Sequence, residues 1–202
     1  MLRLRSTETL KTAASLLSVA AISAMPAIAA EERADGPRDH SRSAEEARER
    51  EHRREAKREP SGPFVPLVGK ADYGTTENAF GAARSGHVHA GQDIFAPAGT
   101  PLVAVTDTVV ADAGADGGQG NYVHLYDRRR ERTYVYMHMV APPTVQAGER
   151  VEAGERVGAV GCTGSCWGDH LHFEVREGRG FTGEPRDPMP LIRDWKPLHG
   201  AR

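Results

Sequence analysis

Thr133-Tyr-Val-Tyr-Met-His-Met139 and His170-Leu-His-Phe-Glu-Val175 are the two runs on which the fold turns. Each is short, dominated by β-branched, aromatic or other apolar residues, and free of Gly and Pro, so each reads as a strand. Three similar runs precede them: Pro101-Leu-Val-Ala-Val-Thr106, Thr108-Val-Val-Ala111 and Asn121-Tyr-Val-His-Leu-Tyr126. Gly, Pro and Asp separate the runs at the spacing of an all-β domain. Val145-Gln-Ala-Gly-Glu-Arg-Val-Glu-Ala-Gly-Glu-Arg-Val-Gly158 doubles an Ala-Gly-Glu-Arg unit, and two Gly-marked turns this close predict a tight meander. No long repeat appears, which excludes solenoids and propellers. The expectation is an all-β domain of antiparallel sheets.

Composition agrees. Among 202 residues, 22 Gly and 13 Pro stand against 5 Phe and 2 Trp, a turn-rich balance that argues against a helical bundle. The length suits one core. The formal charge of −2 is uneven along the chain. Residues 1–29 are net positive, 30–62 are near neutral with both signs interleaved, and the remainder is mildly acidic. An acidic main domain lacks the basic footprint of a nucleic-acid binder. With 2 Cys, no disulfide framework carries the fold.

Residues 1–29 have the parts of a secretory signal: a basic start, an apolar run from Thr12 to Met25, and Ala27-Ile-Ala29 as a cleavage site. The run is shorter than the roughly 20 residues a spanning helix needs, so export without stable membrane insertion is expected. Residues 30–62 form a charged, solvated linker with no face to bury. Pairs such as Glu46 with Arg50 support partial helix there. The folded domain is expected over residues 63–195, followed by a flexible tail at 196–202.

The chemistry lies in histidines. His170 and His172 point to one face of a strand, about 6.6 Å apart along it. His89-Ala-Gly-Gln-Asp93 offers an imidazole and a carboxylate four residues apart, with Gly91 between them to let the chain bend. Two His and one Asp make a three-ligand zinc set that leaves a fourth position open, as catalytic zinc sites do. Taken singly, H-x-H and H-x-G-x-D are common and weak; their occurrence in order within one domain makes them informative. His40, His52 and His199 lie in the linker and tail and receive no role.

The ordered set His89-x-Gly-x-Asp93, Gly99-Thr-Pro-Leu-Val-Ala-Val105, Gly120-Asn-Tyr-Val123, Tyr136-Met-His138, Val151-Glu-Ala-Gly-Glu-Arg-Val-Gly158 and His170-Leu-His-Phe-Glu-Val175 resembles the lysostaphin-type (LytM-like) family over residues 64–195. That resemblance implies a secreted or envelope-located zinc metalloendopeptidase that cuts peptide bonds in the stem or cross-bridge peptides of bacterial peptidoglycan, using water activated by one Zn²⁺ per chain. Its fold is an open sandwich or groove similar to the biotinyl/lipoyl carrier fold. Carried over position by position, the resemblance makes His89, Asp93 and His172 the zinc ligands and His138 and His170 the catalytic pair. A monomer acting on peptidoglycan peptides is expected. The sequence departs from the family's pattern at Gln92, usually apolar, and at Asp169, usually small.

Other residues carry second readings. His87 is a rival ligand two residues before His89, placed instead at the cleft rim. His124 alternates with apolar neighbours as a sheet-face residue. Cys162 and Cys166 are better a disulfide than a zinc pair in an exported protein, with Gly164 allowing the bend and Trp167 at the edge of the loop, either packing on the bridge, the favoured reading, or offering a face to substrate. No H-E-x-x-H is present, so no helical glutamate base serves the reaction. A carrier role needs a Lys on the doubled turn, and residues 145–160 hold none. A catalytically inactive relative that binds peptidoglycan or activates another hydrolase is the alternative; such relatives lose zinc ligands, and here all five positions are filled.

Overall fold

A computed structural model describes residues 45–46, 48–50 and 62–201. The expected signal at 1–29 and most of the linker lie outside the described residues. Residues 45–46 and 48–50 are helical, and Arg50 Nη2 lies 3.8 Å from Glu46 Oε2 in the expected pairing. No helix among the described residues is long and apolar enough to cross a membrane.

From residue 62 the chain is nearly all strand. A four-stranded sheet runs in the order β10 (Arg156–Ala159), β5 (Pro101–Val103), β1 (Phe64–Val68), β13 (Lys196–Leu198). A larger sheet runs β12 (Pro185–Arg186), β11 (His170–Glu177), β8 (Arg132–Met139), β7 (Gly120–Asp127), β6 (Thr108–Asp116), β9 (Arg150–Val151). β4 (Gln92–Phe95) pairs with the first half of β11, and β2 (Ala83–Arg84) and β3 (His87–Val88) form a small hairpin. Pairing is antiparallel, as expected, except that β1 and β13 run parallel.

Alternation on β11 builds core and site together. Leu171, Phe173 and Val175 enter the core, where Tyr134, Tyr136 and Trp195 pack on Phe173. His170, His172 and Glu174 point to the other face, yet are also buried. The Tyr136 hydroxyl donates to Val103 O across the core, tying the two sheets together.

Two expectations need correction. Lys196–Leu198, assigned to a flexible tail, form β13; the short helix α1 (Met189–Ile192) and buried Trp195 lead the chain back onto β1. The doubled Ala-Gly-Glu-Arg makes no meander of mutually paired strands. It makes one turn twice: Gln146 N donates to Glu149 Oε2, and Glu152 N to Glu155 Oε2. The first turn leads into β9 on β6 and the second into β10 on β5, so the chain changes sheets between them.

Candidate active site

Register assembles the site. In the β4–β11 ladder Asp93 stands directly opposite His172, and Phe95 opposite His170. His89 arrives from the segment between β3 and β4. Gly91 serves close approach rather than a bend: a Cβ there would lie 2.5 Å from Phe173 O and 2.9 Å from the His172 Nε2. Only glycine lets this segment lie against β11 with the imidazole beside it.

His138 is placed by an irregularity. Val123 pairs with Tyr136 and Asn121 with Met139, so β8 carries one residue more than β7 over this interval. His138 sits in this bulge with φ of +63°, in the left-handed region. Strict alternation from Tyr134 and Tyr136 would send His138 into the core. The bulge puts Met139 there and turns His138 into the cleft. Its amide donates to Gln119 O at 2.8 Å.

His89 Nε2, Asp93 Oδ1 and His172 Nδ1 converge, each 3.0 Å from the other two. Each ligand atom is aimed by a partner on its far side. His89 Nδ1 faces Ala79 O at 2.9 Å and His172 Nε2 faces Glu174 Oε1 at 2.9 Å, so both rings donate outward and turn lone pairs inward. Asp93 Oδ2 accepts from Arg84 Nη2 at 3.1 Å, which leaves Oδ1 as the inward atom. With both rings neutral in that tautomer, two imidazole lone pairs and a carboxylate oxygen meet, a set that suits a divalent cation; without the cation, a proton on either ring bonds Asp93 Oδ1 instead. Tetrahedral zinc with bonds of roughly 2.0–2.1 Å spaces its ligand atoms about 3.3 Å apart, close to the observed separations. The residues fit the ion. Burial pushes the Asp93 carboxyl up, but hydrogen bonds from His172 and His89 outweigh it and hold the group below the usual carboxylate range. Burial disfavours charge on His172, and its bonds to Asp93 and Glu174 outweigh that and raise its pKa.

His138 and His170 stand beside this cluster, their ring centroids 5.0 Å apart. His138 Nδ1 faces Thr163 O at 2.9 Å, and His170 Nδ1 faces Gly168 O at 2.8 Å. Both rings therefore present Nε2 to the cleft, and His170 Nε2 lies 3.6 Å from Asp93 Oδ1. Burial, helped by neighbouring His170, lowers the His138 pKa to about 4 against the opposing Thr163 bond.

Both carbonyls belong to the loop between β10 and β11, closed by a Cys162–Cys166 disulfide. This loop interlocks with the β6–β7 turn. Gly164 and Gly120 have φ of +72° and +67°, and a Cβ on Gly164 would lie 2.2 Å from Gly120 N. Ser165 N donates to Gly118 O, and Asn121 N to Thr163 Oγ1. Trp167 does not pack inward on the bridge, the favoured expectation, but is 72% exposed at the rim of the cleft. The cleft has a volume of about 650 Å³. His87 lines its rim, as expected, and hydrogen-bonds only locally to Ser85 O among its described polar contacts. His124 lies on the sheet face under Tyr122 and Phe181.

Arg84 and Glu174 were not singled out by sequence. Glu174 follows His172 by two residues on a strand and so shares its face, a signal that was present; Arg84 has none, because its reach to Asp93 depends on the β2–β3 hairpin.

Known proteins are similar to this chain in sequence and in fold. The chain is 34% identical over 110 residues to glycyl-glycine endopeptidase ALE-1 of Staphylococcus capitis, covering 54% of this chain and 30% of that protein. It is 41% identical over 88 residues to peptidoglycan DD-endopeptidase ShyC of Vibrio cholerae, covering 43% and 19%. The solved catalytic domain of lysostaphin from Staphylococcus simulans superposes with a TM-score of 0.53 at 30% identity, covering 62% of this chain and 92% of that one. The chain thus spans under a third of the length of these two curated relatives. The sequence profile of Peptidase family M23 matches residues 87–188, just over half of the chain and the stretch holding His89, Asp93, His138, His170 and His172, and the chain belongs to that family.

Proposed function

We propose that the protein is an exported zinc metalloendopeptidase that hydrolyses peptide bonds in the stem or cross-bridge peptides of bacterial peptidoglycan, with residues 1–29 as its secretory signal. His89 Nε2, Asp93 Oδ1 and His172 Nδ1 would hold one Zn²⁺. When bound, zinc supplies Lewis-acid polarisation of the scissile carbonyl and acidifies water. The observation that carries this reading is the convergence of those three ligand atoms beside two further imidazoles whose Nε2 atoms face the same cleft.

His138 is the base. Burial keeps it uncharged at neutral pH, and the Nδ1–H bond to Thr163 O leaves its Nε2 lone pair free to take the proton of the attacking water. His170 is the donor in this reading: its Nδ1–H bond to Gly168 O aims Nε2 at the same space, and as the imidazolium it would donate from there to the developing oxyanion. The proton gained by His138 then passes to the leaving amine. Arg84 and Glu174 do no chemistry; they hold Asp93 and His172 in place.

An inactive binding protein or activator is disfavoured because both the ligand set and the histidine pair are complete and oriented. The test is digestion of purified peptidoglycans of several cross-link types, with mass analysis of the fragments alongside metal analysis of the purified protein. Intact peptidoglycan in every case would defeat the reading.

A further inference from the structure

His124 is a buried titratable residue on the cleft-facing side of β7, and the proposed chemistry does not use it. Its neighbours fix its tautomer. The Asp116 carboxylate can only accept, so the Gln119 atom 2.8 Å from Asp116 Oδ2 is the amide Nε2. Gln119 Oε1 therefore faces His124, and His124 Nε2, 2.8 Å away, carries the proton. Its Nδ1 lies 4.0 Å from Asp112 Oδ2. Burial lowers its pKa, with Arg176 adding to that effect and Asp112, Glu174 and Asp116 opposing it.

Two routes run from this ring to the site. Through its N–H it holds Gln119, whose backbone carbonyl accepts the amide of His138 in the bulge. Through its face it stacks on Phe181, with centroids 5.2 Å apart and planes 13° apart. The Arg176 guanidinium lies 4.0 Å from the Phe181 centroid. Arg176 Nε in turn donates to Glu174, the carboxylate that orients His172.

We propose that His124 is a positioning residue for the reaction: a single imidazole holds, by its N–H, the segment that fixes His138 and, by its ring face, the stack that ends on the metal ligand His172. The kinetic half of this proposal rests on the peptidase reading; the metal half does not.

Two variants of the full chain separate the routes. His124→Phe keeps a ring to stack and loses the N–H; His124→Gln keeps an N–H donor and loses the ring. For His124→Phe, kcat falls about tenfold, KM changes little, and zinc affinity, read by competition with a chromogenic chelator, stays within about twofold. For His124→Gln, zinc affinity falls about tenfold, in the range for loss of support behind a ligand, while kcat measured at saturating zinc falls less than in His124→Phe. A merely structural role would lower the melting temperature in both and leave the two constants unsplit. Should either variant fail to fold, Gln119→Ala and Phe181→Leu break the same routes from residues that line the cleft. The proposal is overturned if kcat and zinc affinity change together in both variants, or in neither. If the parent protein cuts no peptidoglycan, the peptidase reading fails on its own, and parent-like zinc affinity in His124→Gln still overturns the role of His124.

Discussion

Removing the Cys162–Cys166 bridge should disable the enzyme far more than it destabilises it. The bridge closes a loop of five residues, and in the chain-entropy picture so short a loop is worth about 2 kcal/mol. Against a domain stability of about 5–15 kcal/mol, more than about 99% of molecules stay folded at 25 °C. Any large loss of turnover there is local. The two carbonyls that aim His138 and His170 are not equally exposed to that loss. Thr163 is pinned independently, its hydroxyl accepting from Asn121 N and donating to Met139 O. Gly168 is held by the hydrogen bond its amide N–H donates to Cys162 Sγ, so His170 depends on the bridge more than His138 does. An imidazole displaced by about 1 Å costs up to roughly a hundredfold in rate. The assay is kcat on peptidoglycan for Cys162→Ser/Cys166→Ser at 25 °C, using the double variant because thiol reductants also bind zinc. A drop of ten- to a hundredfold is expected, and adding His170→Ala should cost less than it does in the parent, by about that factor, whereas adding His138→Ala should cost its full amount. Unchanged kcat with a lowered melting temperature would refute the reasoning.

His172→Ala should abolish stoichiometric zinc while the far-UV circular dichroism of the domain persists, since the core residues lie on the opposite face of β11; an unfolded variant would contradict that separation. His138→Ala and His170→Ala should each keep zinc and lose roughly 10²–10⁴ in kcat, checked by metal analysis and initial rates on the same preparations. Gly91→Ala brings a Cβ to 2.5 Å from a β11 carbonyl, and should cost about 1–3 kcal/mol in urea unfolding and weaken zinc binding. Because burial lowers the His124 pKa below 6.5, the folded state binds fewer protons than the unfolded one as pH falls through 6.5, so this residue's effect is a loss of stability on acidification. The metal-free protein should therefore lose more unfolding free energy between pH 7 and pH 5 than His124→Phe does, and equal losses would count against it.

What was legible in the sequence follows the period of two. On β11, alternate residues are apolar or polar without exception from His170 to Val175, and this placed the histidines on one face and the core on the other before any coordinates. Its own neighbours make His138 only a histidine on a strand, and its place in the catalytic pair comes from the family resemblance alone. By the same rule it would point to the core with Tyr134 and Tyr136, and the bulge that reverses this has no mark in Tyr136-Met-His-Met139. The doubled turn was legible as turns but not as a change of sheet, because strand partners are set by contacts distant in sequence. The course of Lys196–Leu198 was missed for the same reason: β13 finds its partner some 130 residues earlier, in β1. Trp167 was misjudged because an aromatic beside a disulfide reads as packing.

The cross-strand pairing of Asp93 with His172 has a consequence for folding fidelity. A slip of one residue between β4 and β11 would bring Ile94 opposite His172 and turn every side chain of the slipped strand to the wrong face. The apolar faces of Ile94, Leu171 and Phe173 forbid that slip at the cost of the whole core. Molecules with a well-formed interior therefore carry Asp93 and His172 in facing places as a matter of course. The strand alignment does not depend on the rim positions His87 and Trp167, whereas Arg84 on the same hairpin reaches back to Asp93.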